Sequence, residues 1–339
     1  MSAHVSADGT KLYISRLQCI VPEAESSLEA YCAEAGQPWE EGPPKWLFAH
    51  AGMSSPWPPV DPGLLDSTLP AVQIPVFGKH PVEYLCEEGK RGFGADRKFD
   101  LICYCHETVQ HPLTTLPGLM LCAEFGHRHA QSFVLGQLGS LACIRAIDWC
   151  KRMLEYGEGT DGLFCMADRT NYPFSRMSWT GSIKGDAAVL CMVNAEAGDY
   201  EVVDYRIRPV FPEGSMRAWT TVDYERTTLA LARQAEQALQ EMQAAGNAPD
   251  RLVIQNVSDS FVKAVGEAGE RCGIPVYVRQ TRKAINFLGS DPFLTLQEAV
   301  SHGQLREGQS LLLLFASADY GIGLLTLRCA GGQPSNLNT

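Results

Sequence analysis

Twelve cysteines, at positions 19, 32, 86, 103, 105, 122, 143, 150, 165, 191, 272 and 329, are the side chains of this sequence with the widest chemical range. A thiol can attack a carbonyl, hold a metal or close a disulfide, but metal and redox sites need tight, repeated spacing. Here the closest pair is Cys103 and Cys105, inside the strand-like run Asp100–Cys105, and no C-x-x-C occurs. The thiols sit in apolar segments and are expected to be reduced, buried and to serve as small apolar side chains. The one histidine-rich cluster is Glu124, His127 and His129. A His-x-His pair on a strand would put both rings on one face, as some metal sites do. Gly126 and the chain after it read instead as a surface loop, and no metal is expected.

The elements that must position any site are read from periodicity. The first 95 residues look irregular and rich in proline, which breaks helices. Beyond them, Phe99–Tyr104, Ser132–Leu135 and Gly162–Ala167 read as strands, with helices over Leu116–Phe125 and Leu138–Tyr156 between them. The second half repeats this order: helix Thr221–Ala244, strand Arg251–Gln255, helix Asp259–Cys272, strand Pro275–Val278, helix Asp291–His302 and strand Ser310–Phe315. The third strand of each half ends alike, Phe164-x-x-Ala167-Asp168 and Phe315-x-x-Ala318-Asp319. Apolar strands alternating with helices predict an α/β protein built from two similar halves.

Composition narrows the function classes. Against 39 acidic residues stand 28 basic ones, a formal charge of −11, and no run of Lys/Arg exceeds two residues. No nucleic-acid partner is expected from such a balance. No membrane partner is expected either: apolar runs such as Leu311–Ala316 are far shorter than a bilayer span. Met1–Lys11 is polar, without the apolar stretch of a signal peptide. A soluble, cytoplasmic protein is the expectation.

Several stretches resemble the beta-ketoacyl-acyl-carrier-protein synthase III family. Ile183-Lys184-Gly185-Asp186-Ala187-Ala188-Val189-Leu190 is similar to its Gly-Asp-Gly/Ala-Ala strand. Lys98–Ile102 followed by Pro112 and Pro117 is similar to the region before its nucleophile helix. Gln297-Glu298-Ala299-Val300 through Leu327-Arg328 follows the course of its final helix, turn and strands. The resemblance covers roughly residues 95–330. It implies the thiolase fold, a layered αβαβα structure built from two duplicated halves, here 1–170 and 171–339, with the nucleophile-position helix at about 137–156.

Members of that family use a cysteine at the start of a buried helix, with a histidine and an asparagine that stabilise oxyanion or enolate as a thioester is attacked. Carried over without gaps, the nucleophile position falls on Gln137; with a deletion in the turn it falls on Ser140 or Gly139, and Cys143 lies farther inside the helix. The histidine position falls on Gln255, next to Asn256. The third position falls on Asn286, followed by Asp291-Pro292-Phe293, which resembles the branch that acylates secondary-metabolite acceptors. The resemblance thus implies that the usual cysteine and histidine are replaced. Gln137 could offer its amide to an enolate. Ser140 could accept an acyl group, but a serine needs an adjacent base and none is evident from the resemblance.

Three functions follow from the resemblance. The first is a non-catalytic or decarboxylating partner subunit for acyl or malonyl thioesters in a fatty-acid or polyketide-type pathway. The second is an active acyltransferase or condensing enzyme with a rearranged nucleophile, Ser140 or Cys143, helped by Asn256, Asn286 and Asp291. The third is a module that binds an acyl chain or a carrier protein. The substrate or ligand would be an acyl-CoA or acyl-carrier-protein thioester, with no other cofactor. The assembly would be a homodimer, or a heterodimer with an active ketosynthase homologue, paired through Ser132–Leu135. An acidic carrier protein docks on basic surface; Lys151-Arg152, Arg206, Arg208 and Arg217 are the candidates for it.

Overall fold

A computed structural model describes residues 10–27, 30, 72–108, 116–157, 159–170, 176, 182–210, 221–318 and 320–330. Cys32, Pro112, Arg217 and Asp319 lie outside the described residues.

The strands are β1 (Leu12–Ile20), β2 (Glu25–Ser27), β3 (Gln73–Pro75), β4 (Phe99–Cys105), β5 (Gly126–Leu135), β6 (Asp161–Asp168), β7 (Ile183–Lys184), β8 (Ala187–Asn194), β9 (Tyr200–Pro209), β10 (Arg251–Ile254), β11 (Val276–Tyr277), β12 (Ile285–Asn286), β13 (Ser310–Ser317) and β14 (Gly321–Cys329). The helices are α1 (Pro81–Phe93), α2 (Pro117–Phe125), α3 (Ala142–Glu155), α4 (Thr221–Ala244), α5 (Asp259–Arg271) and α6 (Asp291–Ser301). Ten strands form one sheet in the order β11-β10-β13-β14-β9-β1-β8-β6-β4-β5.

That order is the same five-strand arrangement twice. In the first set β4 runs parallel to β5 and β6, β6 is antiparallel to β8, and β8 to β1. In the second, β10 runs parallel to β11 and β13, β13 is antiparallel to β14, and β14 to β9. The sets join where β1 pairs with β9. The first ends at β8, so the division expected at residues 170 and 171 falls inside it, between β6 and β7.

Period-2 alternation along the strands builds the layers. On β4, Leu101, Cys103 and Cys105 face a central cluster with Ile144, Ile147 and Cys150 of α3, while Ile102 and Tyr104 face Leu85 of α1 and Leu121 of α2. On β13, Leu311, Leu313 and Phe315 join that same centre with Phe293 and Leu296 of α6. Leu312 and Leu314 pack outward on Leu239 of α4 and Phe261 and Val265 of α5. The layers are therefore α1/α2, sheet, α3/α6, sheet, α4/α5, the αβαβα order with its buried middle pair of helices.

Eleven described cysteines are free, and eight of them, including Cys103, Cys105, Cys143 and Cys150, are buried. They fill the layers as small apolar residues. Two expectations shift. The chain before residue 95 holds β1, which bridges the two sets, and the loop expected after Gly126 is the first part of β5, with His127 and His129 exposed on it.

Candidate functional site

The middle helices set the site. Each is entered through a short 3-10 turn, Gly139–Leu141 before α3 and Leu288–Ser290 before α6. The first N–H groups of a helix lack partners within it and carry partial positive charge. The two turns touch. Gly289 lies against Ser140 at a distance where a Cβ would stand 3.5 Å from the Ser140 Cα and would overlap Met166 Cε. Gly139, at φ +56°, sits so close to Ser317 that any side chain there would collide with it. Leu288 takes φ +54° and Gln137 φ +61°, left-handed conformations rare for such residues. Strain of this kind concentrates at functional sites.

Ser140 is buried, as are Gln255 at the end of β10 and Asn286 on β12. The hydrogen bonds among them have only one consistent direction. The Ala316 N–H can only donate, so the oxygen it meets at 2.9 Å is Gln255 Oε1. Gln255 Nε2 then donates to Ser140 Oγ at 2.9 Å and, more weakly, to Asn286 Oδ1 at 3.4 Å. Asn286 Oδ1 also accepts the Leu288 N–H at 2.9 Å, so the donors of this amide are on Nδ2. Ser140, already accepting from Gln255, gives its own proton to Glu107 Oε2 at 2.6 Å. The hydroxyl thus points its hydrogen at a carboxylate, the arrangement that general-base activation requires.

Glu107 is the residue that sequence reading missed. It lies two residues beyond β4, beside the end of β6 in a parallel pair whose register matches Cys105 with Met166. The carboxyl ends of parallel strands are where such folds gather ligands, and that was the available signal. Buried Asp168, the last residue of β6, accepts the N–H groups of Glu107 and Thr108 at 2.7 and 2.8 Å. Burial pushes the Asp168 carboxyl up, with these same N–H groups opposing the shift.

The other expected residues fall around this cluster. Gln137 is exposed at the elbow between β5 and α3. Cys143 is buried, its thiol donating to the Ser140 carbonyl at 3.1 Å; burial holds it protonated, well above the usual thiol range. Asn256 and Asp291 stand behind Asn286. The Asp291 carboxylate accepts the N–H groups of Asn256 at 2.9 Å and Phe287 at 3.0 Å and pairs with Arg279 at 2.8 Å. The Asn256 side chain donates to the Ile285 carbonyl at 3.0 Å. Both residues hold the segment that carries Asn286. That segment pairs with β7, and Gly185 approaches so closely that a Cβ would stand 2.5 Å from Ile285 and 2.8 Å from Phe287. Buried Asp186 accepts the N–H groups of Phe77 and Thr170 and pairs with buried Arg176 at 2.8 Å.

Lys151, Arg152, Arg206 and Arg208 are each paired with an acidic side chain, Glu155, Asp148, Asp204 and Glu241 respectively. Glu124 pairs with Lys90. No group of three His, Cys, Asp or Glu placed to hold a metal occurs among the described residues. No helix among them is long and apolar enough to cross a membrane.

No family model matches the chain, and no curated protein does. Solved structures do. ChlB3, described as an acyltransferase, superposes with a TM-score of 0.67 at 16% identity over 96% of this chain and 99% of its own. The 3-oxoacyl-(acyl carrier protein) synthase III of Pseudomonas aeruginosa PAO1 gives 0.63 at 14%, covering 95% and 99% of the two chains. A variant of Xanthomonas campestris OleA, with bound lauric acid and lauroyl-CoA, gives 0.65 at 15%, covering 94% and 99%. The chain has the thiolase fold of these proteins.

Proposed function

We propose that this protein is a ketosynthase III-like acyltransferase that takes the acyl group of a thioester onto Ser140. One observation carries the reading: the Ser140 hydroxyl, buried in the turn that enters α3, donates to the Glu107 carboxylate at 2.6 Å. Ser140 Oγ attacks the thioester carbonyl as its proton passes to Glu107. The C–S bond then breaks and the departing sulfur takes that proton, leaving an O-acyl serine and a free thiol. Gln255 Nε2 donates to the reacting oxygen at 2.9 Å, and Asn286 Oδ1 accepts from that same amide at 3.4 Å. CoA or an acyl carrier protein would bring the acyl group. The exposed apolar side chains Val134 on the edge strand β5, Leu119 and Met120 on α2 and Trp149 on α3 support pairing with a second subunit, a copy of this chain or a ketosynthase homologue.

A second reading has its own support. Gln255 and Asn286 are amides and do not exchange protons at neutral pH, which suits a decarboxylating or non-catalytic subunit. Intact mass after incubation with acetyl-, octanoyl-, lauroyl- and malonyl-CoA, with peptide mapping and detection of carbon dioxide, separates the readings. A hydroxylamine-labile adduct on Ser140, absent in Ser140→Ala, is expected. Carbon dioxide without an adduct would replace the acyltransferase by the decarboxylating subunit. Neither signal, together with no reaction of Ser140 with a small sulfonyl fluoride, would leave the non-catalytic subunit or an acyl-binding module.

A further inference from the structure

The inference here rests on the reading of Ser140 and Glu107 just given. We infer that Asp168 is a positioning residue of the site, one that acts through Glu107 by fixing the turn that presents its carboxylate to Ser140.

Three donors converge on a single oxygen, Asp168 Oδ1: Glu107 N–H at 2.7 Å, Thr108 N–H at 2.8 Å and the Thr108 hydroxyl at 3.1 Å. The other oxygen, Oδ2, is buried and makes no hydrogen bond, so all of the polar contact of Asp168 is directed at this turn. The turn is held from its other sides as well. The Arg169 N–H donates to the Thr108 hydroxyl oxygen at 3.1 Å, and the Thr108 carbonyl lies 2.7 Å from His106 Nδ1, which must carry the proton to meet it. Glu107 reaches Ser140 from a short segment beyond its strand, where backbone freedom would otherwise spread the carboxylate over many positions. Activation depends steeply on such placement, since a misplacement of about 1 Å can cost on the order of 100-fold in rate.

The test measures the rate at which methanesulfonyl fluoride modifies Ser140, followed by intact mass and peptide mapping. The reagent is small and does not require the natural thioester. In that reaction an Oγ–S bond forms, the S–F bond breaks, fluoride leaves and Glu107 takes the proton. Glu107→Ala is expected to slow modification roughly 100-fold. Asp168→Ala is expected to slow it at least about tenfold in the wild-type background and less than twofold in Glu107→Ala, because the two act as a unit. Asp168→Asn keeps an acceptor oxygen at the same place and is expected to restore most of the rate. Thr108→Val, which removes one of the three bonds, gives the same comparison if Asp168→Ala does not fold. A slow Glu107→Ala combined with an Asp168 effect that is absent, or equal in both backgrounds, overturns the role of Asp168 alone. Unmodified Ser140 in the wild type, or a Glu107→Ala rate equal to wild type, overturns the Ser140–Glu107 reading and this inference with it.

Discussion

Replacing Gln255 by glutamate tests the proton directions on which the site depends. The side chain keeps its shape and can still accept the Ala316 N–H. What changes is the atom facing Ser140 Oγ at 2.9 Å and Asn286 Oδ1 at 3.4 Å. A protonated carboxyl supplies one donor there, which restores the contact to Ser140 and leaves the weaker one to Asn286 unmade. An ionised one sets acceptor against acceptor in a buried site, with the Glu107 carboxylate on the far side of Ser140. The folded state therefore raises the pKa of the new carboxyl above its ordinary value of about 4.3. A raised carboxyl leaves stability untouched below the unfolded value and removes it as pH rises toward the folded one, by about 1.4 kcal/mol per pH unit. The lost Ser140 contact and the acceptor–acceptor repulsion, together about 2–4 kcal/mol, set the plateau, reached about one and a half to three units above 4.3. With an unfolding entropy of about 2.1 cal/mol/K per residue over 339 residues, 1 kcal/mol corresponds to roughly 1.4 °C in Tm. The variant is expected to melt roughly 3–6 °C below wild type near pH 7, with a gap that narrows toward pH 5.5. Gln255→Leu, which orphans the Ala316 N–H at every pH, is expected to show a gap of similar size that does not change with pH. Calorimetric or fluorescence melting from pH 5.5 to 8.0 reads both. A Gln255→Glu gap that is constant, or that closes as pH rises, would mean that the amide oxygen faces Ser140 and that the serine proton does not point at Glu107.

Two further substitutions probe the frame around the site. Arg176→Ala leaves Asp186 buried without its cation and is expected to cost about 3–5 kcal/mol at pH 7 by urea unfolding. Gly289→Ala drives a methyl into Met166 and is expected to cost about 1–3 kcal/mol. Adding Met166→Ala should make the double variant more stable than the sum of the two single losses by over about 1 kcal/mol, since the pair share one volume.

The repeated frame was legible because it depends on period and order. Continuous apolar runs such as Leu311–Phe315 and the glycine-ended helices punctuate the chain in both halves, and α4 spans the residues the pattern gave, Thr221–Ala244. β1 was hidden because a single strand among irregular segments has no repeat to support it, and its pairing partners β8 and β9 are about 180 residues away. At the elbow, a gap-free reading from the end of β5 lands on Gln137. The chain instead spends Gly136–Leu138 on a bend, with Gln137 alone of the three at a left-handed φ of +61°, and brings Ser140 to the turn that enters the helix. Local spacing cannot report such a bend. Glu107 escaped for a different reason. Its importance lies in a contact across 33 residues of sequence that only the parallel pairing of β4 with β6 and β5 creates.

The composition of this cluster also bears on which nucleophile it suits. A cysteine nucleophile works as a thiolate formed before attack, and a cation or helix terminus lowers its pKa to that end. A carboxylate 2.6 Å from the nucleophile does the opposite, since a neighbouring negative charge opposes ionisation of a thiol. A hydroxyl is never ionised in advance; it loses its proton during attack to a base already in contact with it, and a carboxylate in that position helps. Histidine can serve a thiolate as a cation, whereas Gln255 brings no charge and only fixes a donor on Oγ. Serine, carboxylate and two amides therefore form a chemically consistent set, and changing one member alone would degrade it. Ser140→Cys is accordingly expected to yield a thiol that reacts with iodoacetamide at neutral pH no faster than a free cysteine, while Ser140→Cys with Glu107→Gln reacts faster than Ser140→Cys alone. A fast thiol in the single variant would mean that Glu107 is not a charged neighbour of residue 140, and the case for an acyl-serine would lose its base.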